Sequence, residues 1–151
     1  MKIWVDADSC PRKIREIISR AAKKRQVSTV FVADRILPLP SSPHIVQIQV
    51  EKGEGSTDRY IAAHIQSGDL AITRDVPLAY ELAHLGGIVL DDSGNVFTKD
   101  NVGERLSARN FMRSLREGGV QPEVTKPLEV KDLVLFANSF DRELTRMQGG
   151  E

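Results

Sequence analysis

The sequence predicts an α/β fold, three-layered, with a mostly parallel central sheet of about five strands between helices and further helices at the C-terminus. Two observations carry this. Short apolar runs recur through the first two thirds of the chain, and each is followed by a segment whose apolar residues have helical spacing. Pro, Ser or Thr stands at the start of several of those segments, where helices begin.

Taken in order, Ile3 to Asp6 is a short apolar strand. Pro11 fits a first helical position, and Ile14, Ile17, Ile18, Ala21 and Ala22 put one apolar face on a helix that runs to about Lys24. Val30 to Ala33 is the second strand. The stretch DRILPLPSSP at 34–43 is too rich in Pro and Ser to be regular, so it is a loop. A third strand follows at 45–50, and EKGEGS is a turn. Ser56 or Thr57 can cap a helix through about Gln66, LAIT at 70–73 is a buried strand, Pro77 opens a helix to about Leu85, and GGIVL at 86–90 is a fifth strand. Beyond Asp91 come a turn, a short strand at 96–98, a basic amphipathic helix from Asn101 to Glu117, a linker at 118–129 and a last helix from Val130 to Met147. Trp4, Phe111, Phe136 and Phe140 read as core or helix-packing residues.

A length of 151 residues suits one domain over 1–151, and 40% hydrophobic with 28% charged residues is a soluble composition. No stretch approaches the roughly 20 apolar residues that cross a bilayer, so no membrane partner is expected. The N-terminal MKIWVDAD lacks the apolar core of an export signal, and the lone Cys10 cannot form an internal disulfide. A cytoplasmic location is expected.

Overall charge points to no partner, since 21 Lys and Arg balance 21 Asp and Glu. Local clusters do. Seven basic residues fall between Arg12 and Arg25, and Arg105, Arg109, Arg113 and Arg116 form a helical stripe. These are either solvated faces or phosphate-contacting surfaces, the latter if both helices flank one acidic site.

Acidic residues are also placed tellingly. Ligands of open α/β sheets bind beyond the carboxyl ends of the strands, and the proposed strands end at or near Asp6, Asp75 and Asp91. Asp58 joins them if its helix starts at the same edge. Grouped carboxylates repel unless a cation compensates, and oxygen-only donors suit Mg²⁺ or Mn²⁺, which serve phosphodiester chemistry. Asp8 is either a further ligand or a cap for the helix after Pro11. Arg59 and Arg74 flank the acids, to meet a phosphate or to pair with a carboxylate.

The motifs VDADSCP, STDRYIAAHIQSGDLAITRDVPLA, NVGERLSARNFMRSLRE and FANSFDREL resemble the YaiI/YqxD family of uncharacterised bacterial proteins over nearly the whole chain. That family is similar in turn to PIN-like domains, metal-dependent ribonucleases. The resemblance implies a PIN-like three-layer fold and carries the metal site over to Asp6, Asp58 and Asp75, with Asp8 as an extra acid and Thr73 as a polar neighbour. The usual GGP before the last helix is here Thr125, Lys126 and Pro127.

The expected function is divalent-metal-dependent hydrolysis of RNA, single-stranded or structured, with Asp6, Asp58 and Asp75 as catalytic and metal-binding residues, Asp8 as a further metal ligand, and Arg59, Arg74 and Arg109 on the substrate. A homodimer is compatible with it. Two alternatives stay open. One is a haloacid-dehalogenase-like phosphohydrolase with Asp6 as nucleophile and Asp8 as acid/base, for which Lys52 lies in the wrong place. The other is a non-catalytic module that binds RNA or protein.

Overall fold

The computed structural model describes residues 1–119 and 127–149. Six strands form one sheet in the order β3-β2-β1-β4-β5-β6. They are β1 (Ile3–Asp6), β2 (Thr29–Ala33), β3 (Ile45–Gln49), β4 (Leu70–Ile72), β5 (Ile88–Leu90) and β6 (Val96–Phe97). The first five are parallel, and β6 returns antiparallel to β5. The expected sheet therefore gains one strand, because the turn after Asp91 folds the 96–98 segment back as a hairpin. Part of the 118–129 linker, including Thr125 and Lys126, lies outside the described residues.

Helices cover both faces, as parallel strands buried on both sides require. Side chains alternate along each strand, so Ile3, Val5, Phe31, Leu70 and Ile72 face one layer, where α1 (Arg12–Arg25) and α5 (Val130–Met147) contribute Ile14, Ile18, Phe136, Phe140 and Leu144. Trp4, Val30, Val32 and Ala71 face the other, against α2 (Ser56–His64), α3 (Val76–His84) and α4 (Val102–Glu117), with Ile61, Leu78, Leu82 and Val102. Gly94, at φ +84°, lies in the turn before β6. A Cβ there would come within 2.5 Å of the Leu135 carbonyl oxygen, so only glycine lets α5 pack this closely.

Three local expectations are corrected. Pro11 precedes α1 as its N-cap and gives no side-chain hydrogen bond, and Asp8 does not cap that helix. Gly55 in left-handed conformation, rather than Ser56 or Thr57, precedes α2, because the Thr57 hydroxyl is drawn to another partner. Phe111 is 63% exposed: α4 buries Val102 at its start and none of its other described side chains fully. Trp4, Phe136 and Phe140 are in the core as expected.

The amino edge of the sheet is closed by Asp69, whose buried carboxylate accepts from Trp4 Nε1 at 3.0 Å, from the Lys2 amide at 3.0 Å and from the Gln66 amide at 2.9 Å. Replacing it leaves a buried indole N–H unpaired. Asp69→Ala is expected to lower unfolding free energy by about 2 kcal/mol in urea titrations followed by Trp4 fluorescence; an unchanged midpoint would contradict this role.

Candidate functional site

From β1 the chain winds outward to β2 and β3 on one side, and β4 and β5 lie on the other. The β1/β4 boundary is therefore the point where strand order reverses, and crevices at such points take ligands in open α/β sheets. Val5 pairs with Ile72 in register, so the next residues, Asp6 and Thr73, face each other at the carboxyl edge.

Asp6 is 4% exposed. Its Oδ2 accepts from Thr73 Oγ1 at 2.7 Å and Ser9 Oγ at 2.9 Å. Among the described residues no donor reaches Oδ1. Burial pushes the Asp6 carboxyl up from its ordinary value. The two hydroxyls oppose that, and the charges of Asp8 and Asp75 add to it.

Asp75 is held by α3. It is the N-cap, with Oδ1 accepting from the Leu78 amide at 3.0 Å, and its own amide donates to Thr73 Oγ1 at 3.0 Å. Thr73 thereby ties the start of α3 to the end of β1. Asp58, in the first turn of α2, is half-buried; its carboxyl is pushed up to about 6, first by burial and then by Asp75, Asp6 and Glu81, while Arg59 pulls it down. None of these three acids forms a salt bridge among the described residues. The sequence-predicted trio thus shares one electrostatic neighbourhood without a contacting cation.

Asp8 has a different position. Its carboxylate accepts from Thr57 Oγ1 at 2.7 Å and from the Asp34 amide at 3.2 Å, bracing α2 against the end of β2. Asp91 is turned into its own loop, accepting from the Ser93 and Asn95 amides at 2.9 Å each and from Asn95 Nδ2 at 2.8 Å. Cys10 is buried and its thiol is pushed up to about 12, chiefly by burial, so it is no thiolate nucleophile. Tyr60 stacks on His64 with ring centroids 4.1 Å apart and lies 6.4 Å from Trp4, which makes it a packing residue.

The residues between 4 and 146 match the model of the uncharacterised YaiI/YqxD family. A UPF0178 protein of Myxococcus xanthus is 50% identical over 147 residues, covering 97% of this chain and 96% of that one. UPF0178 proteins of Desulfotalea psychrophila and Treponema pallidum are 46% and 42% identical, covering 98% and 97% of this chain and 100% and 83% of theirs. The chain belongs to the YaiI/YqxD family.

In this YaiI/YqxD protein a second acidic position lies beside the trio. Arg74 Nε pairs with Asp92 Oδ2 at 2.9 Å, so the carboxylate-pairing alternative describes it. Burial raises the Asp92 carboxyl, and Arg74 lowers it. A cavity of about 200 Å³ opens here between Thr73, Asp75, Asp92 and Arg105. Arg105 is the basic residue of α4 that borders it; Arg109, one turn on, is not in its lining. Arg59 is exposed and donates to the Glu54 carbonyl at 3.0 Å. Arg105 was legible as the first member of the α4 stripe. Asp92 carried no signal beyond its adjacency to Asp91.

As donors the three acids fit a hard divalent cation: all are oxygens, and Asp6 Oδ1 is free of protein donors. Among the described residues no three His, Cys, Asp or Glu side chains are already gathered for a metal. A cation would therefore have to draw them inward. Among those residues, too, no helix is long and apolar enough to cross a membrane.

Since the folded Asp58 carboxyl binds its proton more tightly than in the unfolded chain, its charge costs stability as pH rises from about 4 towards about 6. Asp58→Asn is therefore expected to raise Tm over wild type at pH 8 in chelator, with the gain vanishing near pH 4. A Tm difference that does not change with pH would contradict the raised proton affinity of Asp58.

Proposed function

We propose that the protein is a divalent-metal-dependent phosphodiesterase acting on RNA in the cytoplasm, with Asp6, Asp58 and Asp75 holding Mg²⁺ or Mn²⁺. One observation carries this: carboxylates from β1, α2 and the β4–α3 junction stand at the strand-order switch point, Asp6 and Asp75 tied through Thr73, with no salt-bridge partner among the described residues. The PIN-like resemblance of the same residues supports the choice of reaction class, though fold likeness alone would not.

A bound Mg²⁺ or Mn²⁺ would supply Lewis acidity and a more acidic water at the scissile phosphate. The chain's own residues do the rest. Thr73 and Ser9 fix the Asp6 carboxylate through Oδ2 and leave Oδ1 for the cation. Asp75 is held in place by the α3 N-terminus it caps. Asp8 sets the height of Asp58 by fastening the start of α2, acting as a positioning residue in preference to a ligand. Arg59, Arg105 and Arg109 meet the RNA backbone, and Arg74 does so by exchanging Asp92 for a phosphate. Self-association, in this proposal, falls to α5, where Val130, Val134 and Leu135 are exposed. The phosphohydrolase alternative is less well supported, because both Asp8 oxygens already accept protein donors and Lys52 is exposed in the turn before α2.

Titration calorimetry with Mn²⁺, run beside a single-stranded RNA degradation assay, tests this. Wild type should bind and cleave, and Asp75→Asn should lose both. Thr73→Val, which removes an outer partner of Asp6, should weaken Mn²⁺ binding about 10- to 100-fold. Binding without cleavage would favour the non-catalytic RNA-binding module, and no binding by wild type would overturn the proposal.

A further inference from the structure

A second cavity has a lining that shares no residue with the acidic edge. It is a groove of about 790 Å³ running along one face of α1. Arg12, Arg15, Arg20, Lys23 and Lys24 line it, opposed by the single carboxylate of Glu16. That carboxylate is held by Arg12 at 3.3 Å; among the described residues the other four cations have no salt-bridge partner.

Its far wall is the Pro38-Leu39-Pro40 segment of the β2–β3 loop, and that wall is fixed. The Gln47 side chain, on β3, holds the Leu37 backbone at both ends, accepting from its amide and donating to its carbonyl at 3.0 Å, while Leu37 and Leu39 pack against the core. A third feature is a buried polar atom beside the groove. Ser19 lines the groove at 3% exposure, and its Oγ is a buried side-chain oxygen without a hydrogen-bond partner. Native folds seldom leave such a group unmatched unless a ligand or water completes it.

We infer that this groove is a binding site for a nucleoside polyphosphate, with the phosphates on the α1 cations and the ring system against Pro38, Leu39 and Pro40. Its volume is that of a small-molecule pocket, with a mostly fixed apolar wall and a few polar groups. Arg20, Lys23 and Lys24 lie within four residue steps, about 6 Å along the helix axis. Phosphates joined directly to one another can meet all three at once. They also concentrate more charge in that interval than phosphates separated by sugars along a nucleic-acid strand, which favours a polyphosphate over an RNA track. Arginine and lysine supply charge-assisted donors, and the Ser19 hydroxyl supplies a short-range polar contact.

Calorimetric titration of the full chain with ATP in EDTA removes any contribution from a cation at the Asp6 edge. Wild type and Asp6→Asn should bind ATP alike, with affinity falling between 50 and 200 mM salt, as expected for phosphate contacts. Lys23→Glu combined with Lys24→Glu, both exposed positions, should weaken binding at least about tenfold. Ser19→Ala should weaken it several-fold, and adenosine without phosphates should not bind. Inorganic tripolyphosphate should bind more weakly than ATP because it forgoes the proline wall. The inference is overturned if wild type gives no ATP binding at millimolar concentration, if the charge-reversed variant binds as well as wild type, or if a single-stranded oligoribonucleotide occupies the groove while ATP does not.

Discussion

Burial of the Asp6 carboxylate between β1 and β4 is the constraint on which the carboxyl edge of this protein depends. A carboxylate taken out of water must be met by donors, and the Thr73 hydroxyl from the neighbouring strand and the Ser9 hydroxyl from the loop ahead of α1 meet it at Oδ2. Thr73 also accepts the Asp75 amide, so the same hydroxyl sets where α3 begins. The edge is organised by a hydrogen-bonded line from α3 through β4 to β1. Burial first, and the neighbouring acids after it, make Asp6 and Asp58 both hold their protons more tightly than isolated carboxyls.

Much of this was legible in the sequence. A parallel sheet buried on both faces needs near-continuous apolar strands, and IWVD, TVFVA and LAI are such runs. The helices declared themselves through the spacing of Ile14, Ile18 and Ala22 and through Pro77 at a helix start. Asp6, Asp58 and Asp75 could be named because strand ends and first helical turns share the carboxyl edge. Strand order could not be read, since parallel crossovers with similar connections can place a strand on either side of β1; only the folded chain shows β4 beside it.

The misreadings have a common physical origin. The cap readings of Asp8 and Thr57 and the packing reading of Phe111 rested on near neighbours in sequence, yet each is decided by what folding brings to it. Asp8 meets Thr57 and Asp34 from two other elements. Phe111 lies on a helix whose second half has no covering layer among the described residues. Arg74 shows the reverse: the alternative of pairing with a nearby carboxylate was correct, but its partner, Asp92, comes from the end of β5.

The protein thus has two charged regions: an acidic edge whose Asp6, Asp58 and Asp75 have no salt-bridge partner among the described residues, and a basic groove along α1 with little acid. Membership in the YaiI/YqxD family sets the frame in which both can be compared across relatives. The central claim concerns the acidic edge, and the most direct test of it is a crystal soaked in Mn²⁺ and measured for anomalous scattering. A single strong peak within ligand distance, about 2.1–2.2 Å, of Asp6 and Asp75 oxygens, with Asp58 turned towards it, is the result expected. A crystal with no peak at the β1/β4 boundary, or with manganese held elsewhere, would contradict the account.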